Sequence, residues 1–384
     1  MVGLPGDYAA RHGVGLELMA ATPLAAEPSS TGAALPTAPD ADPYALLALE
    51  LDAIRDATRA DLGARDRAYI TRLIEIQRAL ELCGRGFLIG SRSAPAAFAG
   101  AALLSLAKIL ENMEIGHNVL HGQWDWMHDP SIHSSTWEWD AASTAKSWQH
   151  AHNFQHHTYT NVLGRDRDLG YSAMRVEREQ PWHPIYLAQP IYFFLMAAIF
   201  EWGIALYDME LDAVRRGEKS RALARREIAA LLKKARRQLA KDYVVFPALA
   251  GRRGWRRALV ANLAANVVRN VWVHTIVFCG HLPEEAETFT EAQFDEETRG
   301  GFYRRQLLGS CNLEGSRLFH LLTGNLSFQI EHHLYPDLPS NRYAEIAPKV
   351  RAVCERHGLP YSSGRLGRQY VSVYRKILRL SLPS

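Results

Sequence analysis

Seven of the 16 histidines lie in three short segments, and their spacing would place them together on helix faces. Residues four apart stack on one face of a helix, so each segment would present its imidazoles in a common direction. Neutral imidazole binds zinc, copper or iron. Because one zinc ion takes four ligands at most, seven imidazoles suit two adjacent metal ions. The segments are HNVLH with His117 and His121, HNFQHH with His152, His156 and His157, and QIEHH with His332 and His333.

Other metal and cofactor sites fit the sequence poorly. No H-E-x-x-H segment is present, which argues against a zincin protease, and there is no P-loop or Gly-rich nucleotide fingerprint. A soluble di-iron carboxylate bundle needs two Glu-x-x-His pairs, and only Glu114 with His117 forms one. The four cysteines form no C-x-x-C pair, and a net charge of +3 gives no reason to expect nucleic acid as a partner. Paired metals held by nitrogen therefore suggest oxygen chemistry on an apolar substrate.

Two long apolar segments must position these histidines. Ile185–Leu206 contains one charged residue, Glu201, and Ala258–Cys279 contains one, Arg269. Each has 22 residues, about 33 Å as a helix, which is enough to cross a bilayer core. A third segment at 94–110 is shorter and includes Lys108. We therefore expect membrane helices near 94–112, 185–207 and 258–280; buried core helices of a soluble helical protein are the alternative.

The rest of the chain predicts an all-α protein with polar ends. Residues 1–42 are rich in Ala, Pro, Gly, Ser and Thr, and we expect a disordered tail. Residues 43–92 predict soluble or interfacial helices. The segment 363–384 mixes Arg and Lys with Val, Ile and Leu and predicts an amphipathic helix at a membrane surface. The basic block 213–257 is a candidate for binding phosphate groups or a lipid surface.

Longer segments around the histidines resemble a known family. They are MEIGHNVLHGQWDWMHDP (113–130), SWQHAHNFQHHTYTN (147–161) and GNLSFQIEHHLYPDLPSNRY (324–343). With the three histidine boxes in order, the chain resembles the membrane fatty acid desaturases, and in particular the actinobacterial acyl-CoA delta-9 type. The resemblance covers about residues 85–360 and implies a desaturase domain at 93–362. The implied fold is an integral membrane helical bundle with a cytosolic, histidine-rich di-iron cap.

The resemblance also implies a set of metal ligands. To the seven box histidines it adds one further histidine after the last membrane helix, which FCGHLPEE (278–285) supplies as His281. Candidates for the surroundings of the metals are Gln329, which precedes the last box, Asn325, His274 and Asp166. His150, although close to the second box, is expected to be uninvolved.

The implied reaction is the insertion of a cis double bond into a long-chain acyl group, with acyl-CoA and the delta-9 position favoured. Two iron ions would use O2 and electrons that come ultimately from NAD(P)H. Since the sequence has no HPGG haem motif, the resemblance implies a separate ferredoxin- or flavin-type reductase. Alternatives are a di-iron lipid hydroxylase, a front-end desaturase, whose last box also carries glutamine, and a non-catalytic membrane metal-binding protein.

The implied location is the plasma membrane, with the active site facing the cytoplasm. Three single crossings would put all the boxes on one side and the basic block 213–257 on the other. An excess of Lys and Arg normally marks the cytoplasmic side, so this count conflicts with the location that the resemblance implies. The number of membrane spans therefore stays open at this stage.

Overall fold

The computed structural model describes residues 42–90 and 93–383, and most of these residues are helical. The predicted tail lies outside this part of the chain except for Asp42. Two short strands, β1 (Asn312–Glu314) and β2 (Ser363–Arg365), pair in parallel, and the predominance of helices agrees with the predicted all-α class. The helices are α1 Ala45–Ala60, α2 Ala64–Gly90, α3 Ala94–Leu120, α4 145–159, α5 Gln189–Ala198, α6 Phe200–Tyr207, α7 Leu211–Arg216, α8 221–249, α9 Gly251–His281, α10 Glu291–Asp295, α11 Arg299–Leu308, α12 Arg317–Leu322, α13 Gln329–Leu334, α14 Tyr343–Arg356 and α15 Leu366–Ser381.

Helices α2 and α3 form an antiparallel hairpin, and α9 packs against both. Small residues let the backbones approach closely. A Cβ atom added to Gly84 would lie 2.9 Å from the backbone nitrogen of Leu104, and one on Gly100 would lie 2.9 Å from the side chain of Leu88. Ala258 and Ala265 present a similarly small surface on α9. Such small-residue packing is typical of helices that associate in a membrane.

Two helices widen into π-helical turns where they carry histidines. In α3 the widened part is Glu111–His117, and in α4 it is Gln149–His156. A π-helical turn bonds residues five apart and often marks a functional site. The widening lets residues both four and five apart meet on one face, as the ring contacts of His152 with His156 and with His157 demonstrate.

The apolar segments differ from the predicted straight spans. Among the described helices, α3 is long and apolar enough to cross a membrane by itself. The segment predicted as one helix at 185–207 is instead broken at Ile199, where Pro184–Ala198 and Phe200–Arg216 meet at 97°. The segment predicted at 258–280 is continuous within α9, but Arg269 and three asparagines lower its apolarity. Buried asparagine side chains on α9 bond to neighbouring helices.

A cap of shorter helices covers the histidine end of the long helices. Its core joins α1, α11, α13 and α14 through Leu51, Leu307, Ile330 and Val350, all buried. The predicted amphipathic C-terminal segment is α15, and its apolar face packs into the protein rather than lying free. The cap thereby fixes α13, the helix of the third histidine box, over the ends of α3 and α9.

Candidate metal centre

All eight histidines named as candidate ligands come together between the long helices and the cap. His117 and His121 lie at the end of α3, and His281 is the last residue of α9. Helix α4 brings three histidines from one side, and α13 brings two from the cap. Burial ranges from complete to nearly complete, and the side chain of His152 is the most exposed of the eight at 14%.

The first group consists of four histidines from three elements. The potential ligand atoms of His117, His121, His152 and His332 all lie within 4.8 Å of one another. Their rings meet mostly edge to face, with centroids 4.6 Å apart for His117 and His121. Four nitrogen donors at this spacing can hold one metal ion.

The second group lies beside the first and shares residues with it. His156, His281 and His333 place their potential ligand atoms within 4.8 Å of one another, and so do His157, His332 and His333. The Nε2 atoms of His281 and His333 are 3.1 Å apart. Because His332 belongs both to the first set of four and to a triplet of the second group, and His157 contacts members of both groups, the arrangement suits two adjacent ions.

Several of these buried nitrogens have no hydrogen-bond partner among residues 42–90 and 93–383. They are Nε2 of His121, His152 and His332, Nδ1 of His281, and both ring nitrogens of His157. Leaving a buried polar atom unpaired costs free energy, so such atoms require an explanation. Burial, together with the neighbouring histidines, also holds the pKa of His157, His332 and His333 well below the ordinary value. The imidazoles are therefore neutral, the form that binds metal, and the residues fit a pair of iron ions.

Two carboxylates orient histidines of α4 from behind. Both carboxylate oxygens of Asp166 lie 3.1 Å from Nδ1 of His156, and one oxygen of Asp168 lies 3.1 Å from Nδ1 of His152. Burial alone would lower the pKa of His156, but the charge of Asp166 outweighs it and the pKa is raised. Backbone N–H groups of Asn161 and Asp168 donate to Asp166 and fix its position. A carboxylate behind an imidazole is the usual way to aim a metal ligand.

The remaining candidates lie in different surroundings. Gln329 reaches the site, with its Nε2 atom 2.9 Å from Nε2 of His281. Asn325 does not contact these histidines and instead donates to Glu114, which also accepts from Tyr69. His274 stacks on Phe278 within an aromatic cluster and belongs to neither histidine group. Glu114 therefore joins Tyr69 to Asn325. Although it lies three residues before His117, it belongs to neither histidine group.

Sequence reasoning missed three polar contacts to the histidines. Oε1 of Gln306 lies 3.1 Å from Nδ1 of His333, and the hydroxyl of Tyr343 lies 3.4 Å from Nδ1 of His332. Asn118 contacts Nδ1 of His117. Gln306 and Tyr343 belong to helices of the cap, and their contacts with the histidines depend on how these helices pack on α13. His150, by contrast, has a side chain that is 53% exposed, and it is absent from both groups.

An elongated cavity opens from the histidines into the helix bundle. Its volume is about 60 Å³. His117, His152, His281 and Gln329 line one end. The walls are mainly apolar and aromatic, and they come from the loop before α4, from α6 and from α9. Wall residues include Met113, Trp139, Trp148, Phe200, Ile204, Val273, Val277 and Leu326.

The sequence profile of the family described as "Fatty acid desaturase" matches residues 93–365, more than two thirds of the chain. The chain belongs to the fatty acid desaturase family. The match includes both groups of histidines, and the resemblance inferred from the three boxes is confirmed. In this desaturase the histidine groups and the apolar cavity therefore lie within the family's own domain.

Characterised desaturases are similar over much of the chain. An "NADPH-dependent stearoyl-CoA 9-desaturase" of Mycobacterium tuberculosis is 49% identical over 340 residues, which cover 88% of this desaturase and 80% of the relative. The bovine protein "Fatty acid desaturase 3" is 28% identical over 224 residues, 56% of this chain and 46% of its own. An "sn-1 linoleoyl-lipid 6-desaturase" of Synechocystis is 25% identical over 276 residues, 70% and 75% of the two chains. The actinobacterial relative matches best of these three, in agreement with the resemblance of the segments around the histidine boxes.

Proposed function

We propose that the protein inserts a cis delta-9 double bond into a long-chain acyl-CoA, with stearoyl-CoA as the model substrate. The observation that carries this proposal is the pair of histidine groups at one end of an apolar cavity. The 49% identity to the mycobacterial stearoyl-CoA 9-desaturase supports the substrate and the position of the double bond. The much weaker match to the Synechocystis 6-desaturase supports delta-9 over a front-end reaction.

The eight candidate ligands would hold two iron ions, the first among His117, His121, His152 and His332. The second would lie among His156, His281 and His333, with His157 between the two. When bound, the irons would supply the oxidising power of O2 needed to remove two hydrogens from an unactivated acyl chain. The chain's own residues do the rest: Asp166 and Asp168 aim His156 and His152, and the apolar walls hold the substrate and exclude water.

Electrons for the reaction would come from NADPH through a separate ferredoxin- or flavin-type reductase. The name of the mycobacterial relative supports NADPH as the source. The acyl-CoA headgroup carries phosphates and would bind near basic side chains, for which the basic block 213–257 is the candidate. The reductase is part of the proposal because the reduction of O2 to water needs two further electrons for each double bond formed.

The proposed location is the plasma membrane, with the histidines at the cytoplasmic face. Supporting this are large apolar side chains that are exposed around the long helices, a pattern that marks contact with lipid. Members of this surface are Leu82, Phe87, Phe98, Ile191, Leu195, Leu232, Val244, Val260, Leu263 and Val268. In this proposal α2 with α3 and α8 with α9 form two hairpins, and each returns to the side from which it starts. Two hairpins keep every histidine box on one side and let the basic block 213–257 begin on that same side, whereas three single crossings would put the block on the opposite side.

The test is a product analysis in a bacterial host that lacks its own desaturase and receives an NADPH-dependent reductase. We expect a delta-9 monounsaturated acid by gas chromatography and mass spectrometry, and none from the His156→Ala variant. The His150→Ala variant provides the matched control, because this histidine lies outside both groups. A hydroxy acid instead would make the protein a hydroxylase. No product with iron and donor present would contradict the proposal.

A further inference from the structure

The two charged residues that interrupt the long apolar segments of the sequence are partners. Glu201 is on α6 and Arg269 is on α9, 68 residues apart in sequence. Arg269 Nη2 lies 2.5 Å from Oε1 of Glu201, and the side chains are only 1% and 4% exposed. Both residues line the cavity that the histidines open into. This pair therefore belongs to the same cavity as the metal centre, at a different position along it.

The spacing of wall residues along α9 indicates how far apart these two parts are. Arg269, Val273, Val277 and His281 all line the cavity, and they follow one another at four-residue intervals. At a rise of 1.5 Å for each residue, Arg269 lies about 18 Å along the helix from His281. The cavity thus runs from the histidines along one face of α9 to the ion pair.

The polar groups around the Glu201–Arg269 pair, at the end of the cavity away from the histidines, bind one another. Arg269 donates from Nε to Asn270 and from Nη1 to the backbone oxygen of Asp140, while its remaining nitrogen pairs with Glu201. The second carboxylate oxygen of Glu201 accepts from Gln238. Asn270 in turn donates to the backbone oxygen of Ala198. Arg269 and Glu201 are therefore held in a polar network that joins α6, α8 and α9.

A second layer of buried charges lies behind the Glu201–Arg269 pair. Lys108 on α3 pairs with Asp140 and with Asp242 on α8, and Arg85 on α2 pairs with Asp242 as well. These pairs tie α2, α3 and α8 together directly behind the cavity. An acyl chain that reached beyond Arg269 would have to separate ion pairs and leave charges without partners, which is costly in a buried place.

We propose that the Glu201–Arg269 pair is the floor against which the methyl end of the acyl chain stops, and that it sets the longest chain the enzyme accepts. This inference rests on the proposed function, in which the cavity holds the acyl chain. Each additional methylene that a pocket cannot accommodate costs a factor of roughly ten or more in kcat/KM. The pair is thus a determinant of chain length, acting through position and charge without touching the reacting carbons.

The test compares saturated acyl-CoAs that differ by two carbons, using the full-length holoenzyme with its reductase. The double variant Glu201→Ala/Arg269→Ala removes both charges and deepens the cavity. We expect the ratio of kcat/KM for the first rejected longer chain to that for the best wild-type substrate to rise about tenfold or more. The control is Glu177→Ala/Lys376→Ala, which removes a largely buried pair on α15 and its neighbouring loop, away from the cavity. The control should keep the wild-type ratio.

A second variant makes the test independent of the stability of the double variant. Val273 lines the wall one turn from Arg269, and Val273→Phe should shorten the cavity without changing any charge. We expect this variant to lose activity on the longest accepted chain and to keep it on shorter ones. Unchanged chain preference in both variants, with the wild type active, would overturn the inference. An inactive wild type would instead contradict the proposed function.

Discussion

The two ends of one cavity are both built from buried polar side chains, but they differ in how these groups are paired. At the histidine end, ring nitrogens of residues such as His121, His157 and His332 have no hydrogen-bond partner in the part of the chain that the structure describes. At the floor, Arg269 and Glu201 find partners on α6, α8 and α9. Unpaired buried nitrogens are costly unless a ligand completes them, whereas a charge that is paired within the protein needs no ligand. This difference in pairing supports the proposal that metal ions bind at the histidine end.

Removing a histidine shared by both groups should have the largest effect. His157 contacts His121 in one group and His333 in the other, so His157→Ala should disturb both metal sites. We expect desaturation to fall at least about a thousandfold and bound iron to fall below one ion for each chain, since loss of metal removes the chemistry itself. Iron content by mass spectrometry and product yield are the measurements. His150→Ala should match the wild type in both, and full iron content in His157→Ala would contradict the assignment.

Removing one partner of the Glu201–Arg269 pair should mainly lower the stability of the protein. Arg269→Met leaves the buried carboxylate of Glu201 with Gln238 but without a cation. An uncompensated buried charge costs about 3–5 kcal/mol, whereas replacing both partners by apolar side chains is often close to neutral. We therefore expect a large drop in thermal midpoint for Arg269→Met and a much smaller one for Arg269→Met/Glu201→Leu. Equal drops would mean that the floor is not held by this ion pair.

A carboxylate behind a ligand should have an intermediate effect. Asp166→Asn keeps the shape but removes the charge that aims His156, and we expect iron affinity or activity to fall about 10- to 100-fold. The fall in affinity should be overcome by added iron, which is the measurement that separates positioning from misfolding. Asp129→Asn, in an exposed turn where Asp129 binds only Ser131, is the control and should behave as wild type.

The sequence predicted which histidines meet better than it predicted the helices that carry them. Histidine spacing is a local property, and His117, His152 and His332 do meet as the three boxes suggest. Gln306 and Tyr343 were not predicted, because their contacts depend on how the cap folds over α13. The break at Ile199 within the predicted helix 185–207 was not foreseen, because hydropathy does not report it.

The pairing of the two lone charges could not be read from hydropathy either. Glu201 and Arg269 each looked like an isolated interruption of an apolar segment. A charge in such a segment usually has a partner on another helix, but the sequence offers several candidates for each. The partner becomes definite only when α6 and α9 pack together around the cavity.

The smallest effect should come from a partly exposed ion pair in the cap, whose removal should cost less stability than the loss of Arg269. Asp52 on α1 accepts hydrogen bonds from Arg299 and Tyr303 on α11. Partial burial would raise the pKa of this carboxyl, but the two hydrogen bonds outweigh it and the pKa lies below the ordinary 3.8. A depressed carboxyl pKa adds stability that is fully present above the unfolded value and is lost as the pH falls through the folded value.

We therefore expect Asp52→Asn to lower the free energy of unfolding by about 1 kcal/mol at neutral pH, the upper range for an exposed pair. The difference from wild type should stay constant down to about pH 4 and shrink below it, because both proteins then carry an uncharged group at this position. Thermal midpoints across this pH range are the measurement. A difference in thermal midpoint that persisted at low pH would mean that packing, rather than charge, joins α1 to α11. The Asp52–Arg299 pair and the Glu201–Arg269 pair would then differ in burial and not in the strength of their charge interaction.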